Sequence, residues 1–159
     1  MADNWIRPDS FEEGDWSSEE WSYDASLETA ATYVIAADGQ SAELVVVFTT
    51  PILTDKVRIY VGNGSGGGND YIYVRAYYNG QWNYVVITEP ITPNGYAEYP
   101  LVGGTHTISK ISVLYYNSNQ ESSWEVQCID IQANQITARG KVGRSLAEKN
   151  GLINSGLIY

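Results

Sequence analysis

Apolar side chains recur at every second position in short segments separated by turn signals, and this period constrains the chain more than anything else in it. In Lys56-Val57-Arg58-Ile59-Tyr60-Val61 the inward set is Val57, Ile59 and Val61. In residues 71–77 it is Ile72, Val74 and Ala76, with Tyr71, Tyr73, Arg75 and Tyr77 outward. A period of two places alternate side chains on opposite faces of a pleated strand, so each segment has one buried face. The unbroken run Leu44-Val45-Val46-Val47-Phe48, closed by Thr-Thr-Pro51, predicts a buried strand. Tyr78-Asn79-Gly80-Gln81 predicts a tight hairpin that demands positive φ and leads into a strand over 82–88. Further strands are expected over 32–36, 96–102 (after Pro93-Asn94-Gly95), 108–116 and 124–131. In the last, Trp124, Val126 and Cys128 share one face while Ile129 and Ile131 share the other. Either a bulge lies near Cys128 or both faces are covered. No helical period of useful length precedes residue 133. About eight strands with turns between them predict an all-β antiparallel sandwich.

A chain of 159 residues can bury one proper core, and its charge divides it into three parts. Residues 1–28 hold nine acids against Arg7 alone, a net of −8. Residues 134–159 carry Arg139, Lys141, Arg144 and Lys149 against Glu148, a net of +3. The reading is an acidic N-terminal arm over 1–15, the sandwich over 16–133 and a basic, apolar tail over 134–159. The net charge of −10 argues against a nucleic-acid partner, which needs clustered Lys and Arg. No apolar run is long enough to span a membrane, and no secretory signal opens the chain. One cysteine excludes an intrachain disulfide and a Cys-based zinc site.

Catalytic patterns are weak. Residues 62–67 match G-x-G-x-x-G, but a strand follows where a dinucleotide site needs a helix N-terminus, so a long hairpin loop is expected. His106 and Cys128 are the sole residues of their kinds, His106 in a glycine-rich loop and Cys128 among core positions. A buried structural cysteine is the simpler reading. The acids between residues 9 and 20 invite comparison with paired carboxylates acting on sugars, but no apolar pocket is legible around them, and a solvated or interface-bound arm is expected. The 13 Tyr and five Trp against two Phe suit strand surfaces and contact faces, where one end of a ring stays wet.

Trp21-Ser22-Tyr23-Asp24-Ala25-Ser26-Leu27-Glu28-Thr29, then residues 42–48, Pro51 and Val57-Arg58-Ile59, resemble the opening of discoidin-type, galactose-binding-like jelly rolls; residues 124–131 resemble their closing strand. The resemblance spans about residues 16–133 and implies a jelly roll with a short arm and a tail. It implies a calcium loop holding Asp24 and Thr29, although Ala25 and Ser26 replace the Gly and Asn that shape that loop. It also implies glycan binding, for which Tyr77, Tyr78, Trp82 and Tyr84 are the aromatic platform. Small domains of this kind with acidic, Trp-containing starts also resemble tailed-phage virion proteins. The leading expectation is therefore a non-enzymatic head-decoration protein, made in the host cytoplasm and carried on the virion. It would bind capsid or other virion proteins and neighbouring copies, with no nucleic acid, membrane or required cofactor. Its assembly surface would be Arg139, Lys141, Arg144 and Lys149 with Leu152, Ile153, Leu157, Ile158 and Tyr159. The alternative is a carbohydrate-binding module recognising cell-surface glycans.

Overall fold

The computed structural model describes residues 2–62, 71–91 and 93–137. Ten strands run through them: β1 (Trp5–Ile6), β2 (Ser10–Glu12), β3 (Ala31–Ile35), β4 (Gly39–Gln40), β5 (Leu44–Val61), β6 (Tyr71–Tyr78), β7 (Gln81–Pro90), β8 (Gly95–Pro100), β9 (His106–Asn117) and β10 (Trp124–Gln135). Every ladder between them is antiparallel. The fold is the all-β antiparallel sandwich that the alternation predicts, in the jelly-roll form that the resemblance implies.

β5 is the element that turns the sheet over on itself. Its first part, Leu44 to Val47, pairs with β9 on one side and with β2 on the other. The pairing to β9 then jumps from Val47 to Ile52, across Phe48-Thr49-Thr50-Pro51. From Thr54 onward the strand pairs with β10 and β8. Pro51 has no N–H to give a ladder, so an irregularity is cheapest there. The run over 44–48 thus differs from the strand expected of it. Leu44, Val46 and Phe48 are buried while Val45 and Val47 are only half-buried, and the strand continues past Pro51 instead of stopping. An unbroken apolar run conceals its period, so only the neighbours reveal which face is inside.

Elsewhere the alternation holds. Val57, Ile59, Val61, Ile72, Val74 and Ala76 are all buried in one core with Ile111, Val113, Tyr115, Trp124 and Val126. Asn79 and Gly80 have φ of 54° and 77°, the left-handed pair that a two-residue hairpin needs. In β10 both alternatives apply at once. The register shifts between Cys128 and Asp130, and beyond the shift Asp130, Gln132 and Asn134 are buried as well as Ile131 and Ala133.

What covers that polar face is the N-terminal segment. β1 pairs with Ala133 and Asn134, and β2 pairs with Val45 to Val47. Between them Arg7 donates from Nε and Nη2 to the Asp130 carboxylate at 3.0 and 2.8 Å. The Arg58 guanidinium lies 4.3 Å from the Trp5 ring centroid and 4.0 Å from that of Tyr96. Asp9 accepts from both the N–H and the hydroxyl of Thr49, which ties the segment to the bend in β5. Trp16 enters the main core and donates to the Ala42 carbonyl at 2.9 Å. One layer of the jelly roll is thereby capped by the chain's own start, leaving the outer face of β6, β7 and β9 uncovered among the described residues.

Candidate functional site

The open face follows from the same alternation that builds the core. With Ile72, Val74, Ala76 and Tyr78 turned inward, β6 presents Tyr71, Tyr73, Arg75 and Tyr77 outward. Ladder register sets their neighbours: Tyr77 lies between Lys110 and Trp82, Arg75 between Ser112 and Tyr84, and Tyr71 opposite Tyr116. Arg75 forms an ion pair with Glu43, and its guanidinium sits 4.9 Å from the Trp82 ring centroid. Ser112 donates to Glu43 Oε2 at 2.7 Å. Glu43 is brought there by a fixed backbone, because Ser41 and Tyr115 exchange hydrogen bonds just before it. Around this group opens a concavity of about 270 Å³, with Tyr73, Tyr84 and Leu114 as apolar walls and Gln40 at the rim. Tyr84 is 52% exposed, so its ring is available to a ligand.

The four aromatics expected to form one platform are divided by the fold. Tyr77, Trp82 and Tyr84 share the open face, and Tyr77 meets Trp82 edge-to-face with centroids 5.3 Å apart. Tyr78 points the other way; it is 8% exposed and stacks on the His106 ring at 4.0 Å. Adjacent residues in a strand cannot face the same side. Arg75, Glu43, Ser112 and Tyr73 were absent from the sequence-based set. The outward position of Arg75 was visible, but its partner Glu43 stands 32 residues away.

The loop proposed for calcium is closed by its own residues. Asp24 Oδ1 accepts from the Ser26 N–H at 2.9 Å, and Oδ2 accepts from the Thr29 hydroxyl at 2.7 Å. Ala25, in the position of the expected glycine, has φ of 71°. Among the described residues no three His, Cys, Asp or Glu side chains gather as a metal site. A second concavity, of about 430 Å³, adjoins this loop between Trp21, Leu27, Thr29 and Ile129. The nine assembly residues from Arg139 to Tyr159 lie outside the described residues, as do residues 63–70 of the glycine-rich stretch.

Cys128 and His106 each have other partners. The Cys128 thiol is wholly buried beside Tyr115, and burial pushes it up to about 12. The His106 Nε2 lies 2.9 Å from the Val102 carbonyl oxygen. A thiol so protonated is no nucleophile at neutral pH. Three acids of the run have places of their own: Asp9 accepts from Thr49, Glu12 pairs with Lys110, and Glu19 is buried against Gly14.

No family model and no curated protein matches the sequence. Solved structures do match in three dimensions. A CBM32 module of AlyQ in complex with 4,5-unsaturated mannuronic acid superposes with a TM-score of 0.58 at 11% identity, covering 82% of this chain and 97% of that one. An F5/8 type C domain from Bacteroides fragilis gives 0.52 at 9% identity, over 80% and 97%. The fold is discoidin-type. XRCC1, in its reduced form bound to the DNA polymerase β catalytic domain, gives 0.59 at 11% identity, over 84% and 100%. The discoidin-type fold therefore carries a sugar ligand in one of these structures and a protein partner in another. Function must be argued from the site.

Proposed function

We propose that this discoidin-type domain is a non-catalytic carbohydrate-binding module whose ligand lies on the outer face of β6, β7 and β9. The observation that carries the reading is the concavity on that face, where the exposed Tyr84 ring and the half-buried Tyr73 ring flank the Arg75–Glu43–Ser112 group. A sugar ring has an apolar C–H face and a polar rim of hydroxyls. Rings such as Tyr84 and Trp82 suit the first, and charge-assisted donors and acceptors suit the second. A site on paired strands is rigid, which lowers the ordering cost of binding. Several of the solved structures that share the fold are carbohydrate-binding modules, which supports this reading over particle decoration.

The test is a glycan array with the intact protein, followed by calorimetric titration of the sugars that bind. Tyr84→Ala and Trp82→Ala are each expected to weaken binding about tenfold or more, with thermal melts unchanged. An array without a single binder would overturn the proposal.

A second reading places the domain on a virus particle. It draws on the apolar edge where Ile87 and Val102 stand 63% and 65% exposed, beside a groove between β7 and β8, and on the opposite charges of the two ends. Such attachment does not compete with glycan binding. Co-purification with particles in fixed stoichiometry is its test, and free protein alone in the lysate would count against it.

A further inference from the structure

Resting on the glycan reading, we infer that the ligand is an internal stretch of an uncharged polysaccharide laid along β6. The aromatic residues are not gathered at one point: besides Tyr73 and Tyr84 at the central concavity, two pairs stand at the two ends of the strand. Tyr71 stacks on Tyr116 at one end, centroids 6.4 Å apart and planes 18° from parallel. Tyr77 and Trp82 form the pair at the other end. Six strand steps lead from Tyr71 to Tyr77, about 20 Å at the usual rise. A single sugar ring is too short to touch both pairs. The concavity with Arg75, Glu43, Tyr73 and Tyr84 lies between them, so the polar groups and these two rings address the middle of the ligand and the outer ring pairs its flanks.

The charges of the face decide which polysaccharide fits. Arg75 and Lys110 are its cations among the described residues, and both are already paired, with Glu43 and Glu12. Among the described residues a uronate chain would find both cations already neutralised by carboxylates, on a protein of net charge −10. A cationic chain would find Glu43 already held by Arg75 and Ser112. Hydroxyls can use the spare guanidinium N–H groups and the remaining carboxylate lone pairs without displacing the ion pair.

The experiment is calorimetry of the full chain with gluco-, manno- and xylo-oligosaccharides of increasing length, free and with both ends blocked. Galacturonate and glucosamine oligomers of matched length are the charged probes. Affinity is expected to rise with length beyond the monosaccharide and to survive blocking of the ends. Tyr71→Ala should cost about tenfold with long chains and leave short ones unaffected, whereas Trp82→Ala should weaken both. Thermal melts of both variants, with Tyr116→Ala as a second variant at the Tyr71 end, keep folding defects out of the comparison. Affinity independent of length, loss on blocking an end, or indifference to both Tyr71→Ala and Tyr116→Ala would overturn the internal-chain assignment while leaving glycan binding intact. Preference for galacturonate or glucosamine oligomers would overturn the uncharged one. Silence with every probe would remove the glycan reading itself.

Discussion

Glu19 shows how far a single side chain can depart from its sequence surroundings. It belongs to an acidic run that reads as a solvated arm, yet it is buried, with Oε2 only 3.0 Å from where a Cβ on Gly14 would stand. Desolvation raises its pKa, partly offset by the nearby Gly14 and Trp16 backbone N–H groups, and among the described residues nothing donates a hydrogen bond to its buried Oε2. A carboxyl held above its unfolded value contributes stability that is full below the ordinary Glu range, near pH 4, and lost as pH rises through the folded value. At neutral pH the ionised Glu19 therefore opposes folding. Glu19→Gln is expected to raise Tm at pH 7, with the gain shrinking as the pH falls toward about 4. A gain of the same size at both pH values, in matched calorimetric scans, would contradict this. Asp9 has the opposite sign: the hydrogen bonds from Thr49 lower its pKa, so its contribution is lost as pH falls.

At the scale of elements, the N-terminal segment is the clearest departure from local expectation. Nothing in Trp5-Ile6-Arg7 announces a strand, and two residues would not form one alone. They are held because β10 offers an otherwise open edge and a buried carboxylate. Asp130 is 1% exposed and accepts from Arg7, Gln132 and Tyr96. Breaking such a group leaves a buried charge without its counter-ion. Arg7→Ala is expected to lower unfolding stability by about 3 kcal/mol, read as a lower urea midpoint with an unchanged slope. An unmoved midpoint would mean that the segment is ornament. Deleting residues 2–8 should cost at least as much and expose the edge of β10 to pairing with other molecules, visible as aggregation in light scattering.

For the whole molecule, the Asp24 loop bears on whether the fold needs a metal. Both Asp24 oxygens are engaged by Ser26 and Thr29, and the core buries its apolar residues without a staple. EDTA is therefore expected to leave the cooperative thermal transition where it is; a fall in Tm reversed by calcium would assign a cation to Asp24. The sequence by itself determined the inward sets of β6 and the second half of β5, and the positive-φ hairpin at Asn79-Gly80. Each depends on residues one or two apart, whose facing is dictated by the pleat and by backbone sterics. Tertiary structure alone decided which apolar residues of 44–48 face inward, and that the chain's start lies along β10 and β5. It also assembled Arg75 with Glu43 and Ser112, and Asn4 with Asn134 across 130 positions. Those outcomes depend on strand register, and register is a property of the completed sheet: a slip of one residue would reverse every face at once.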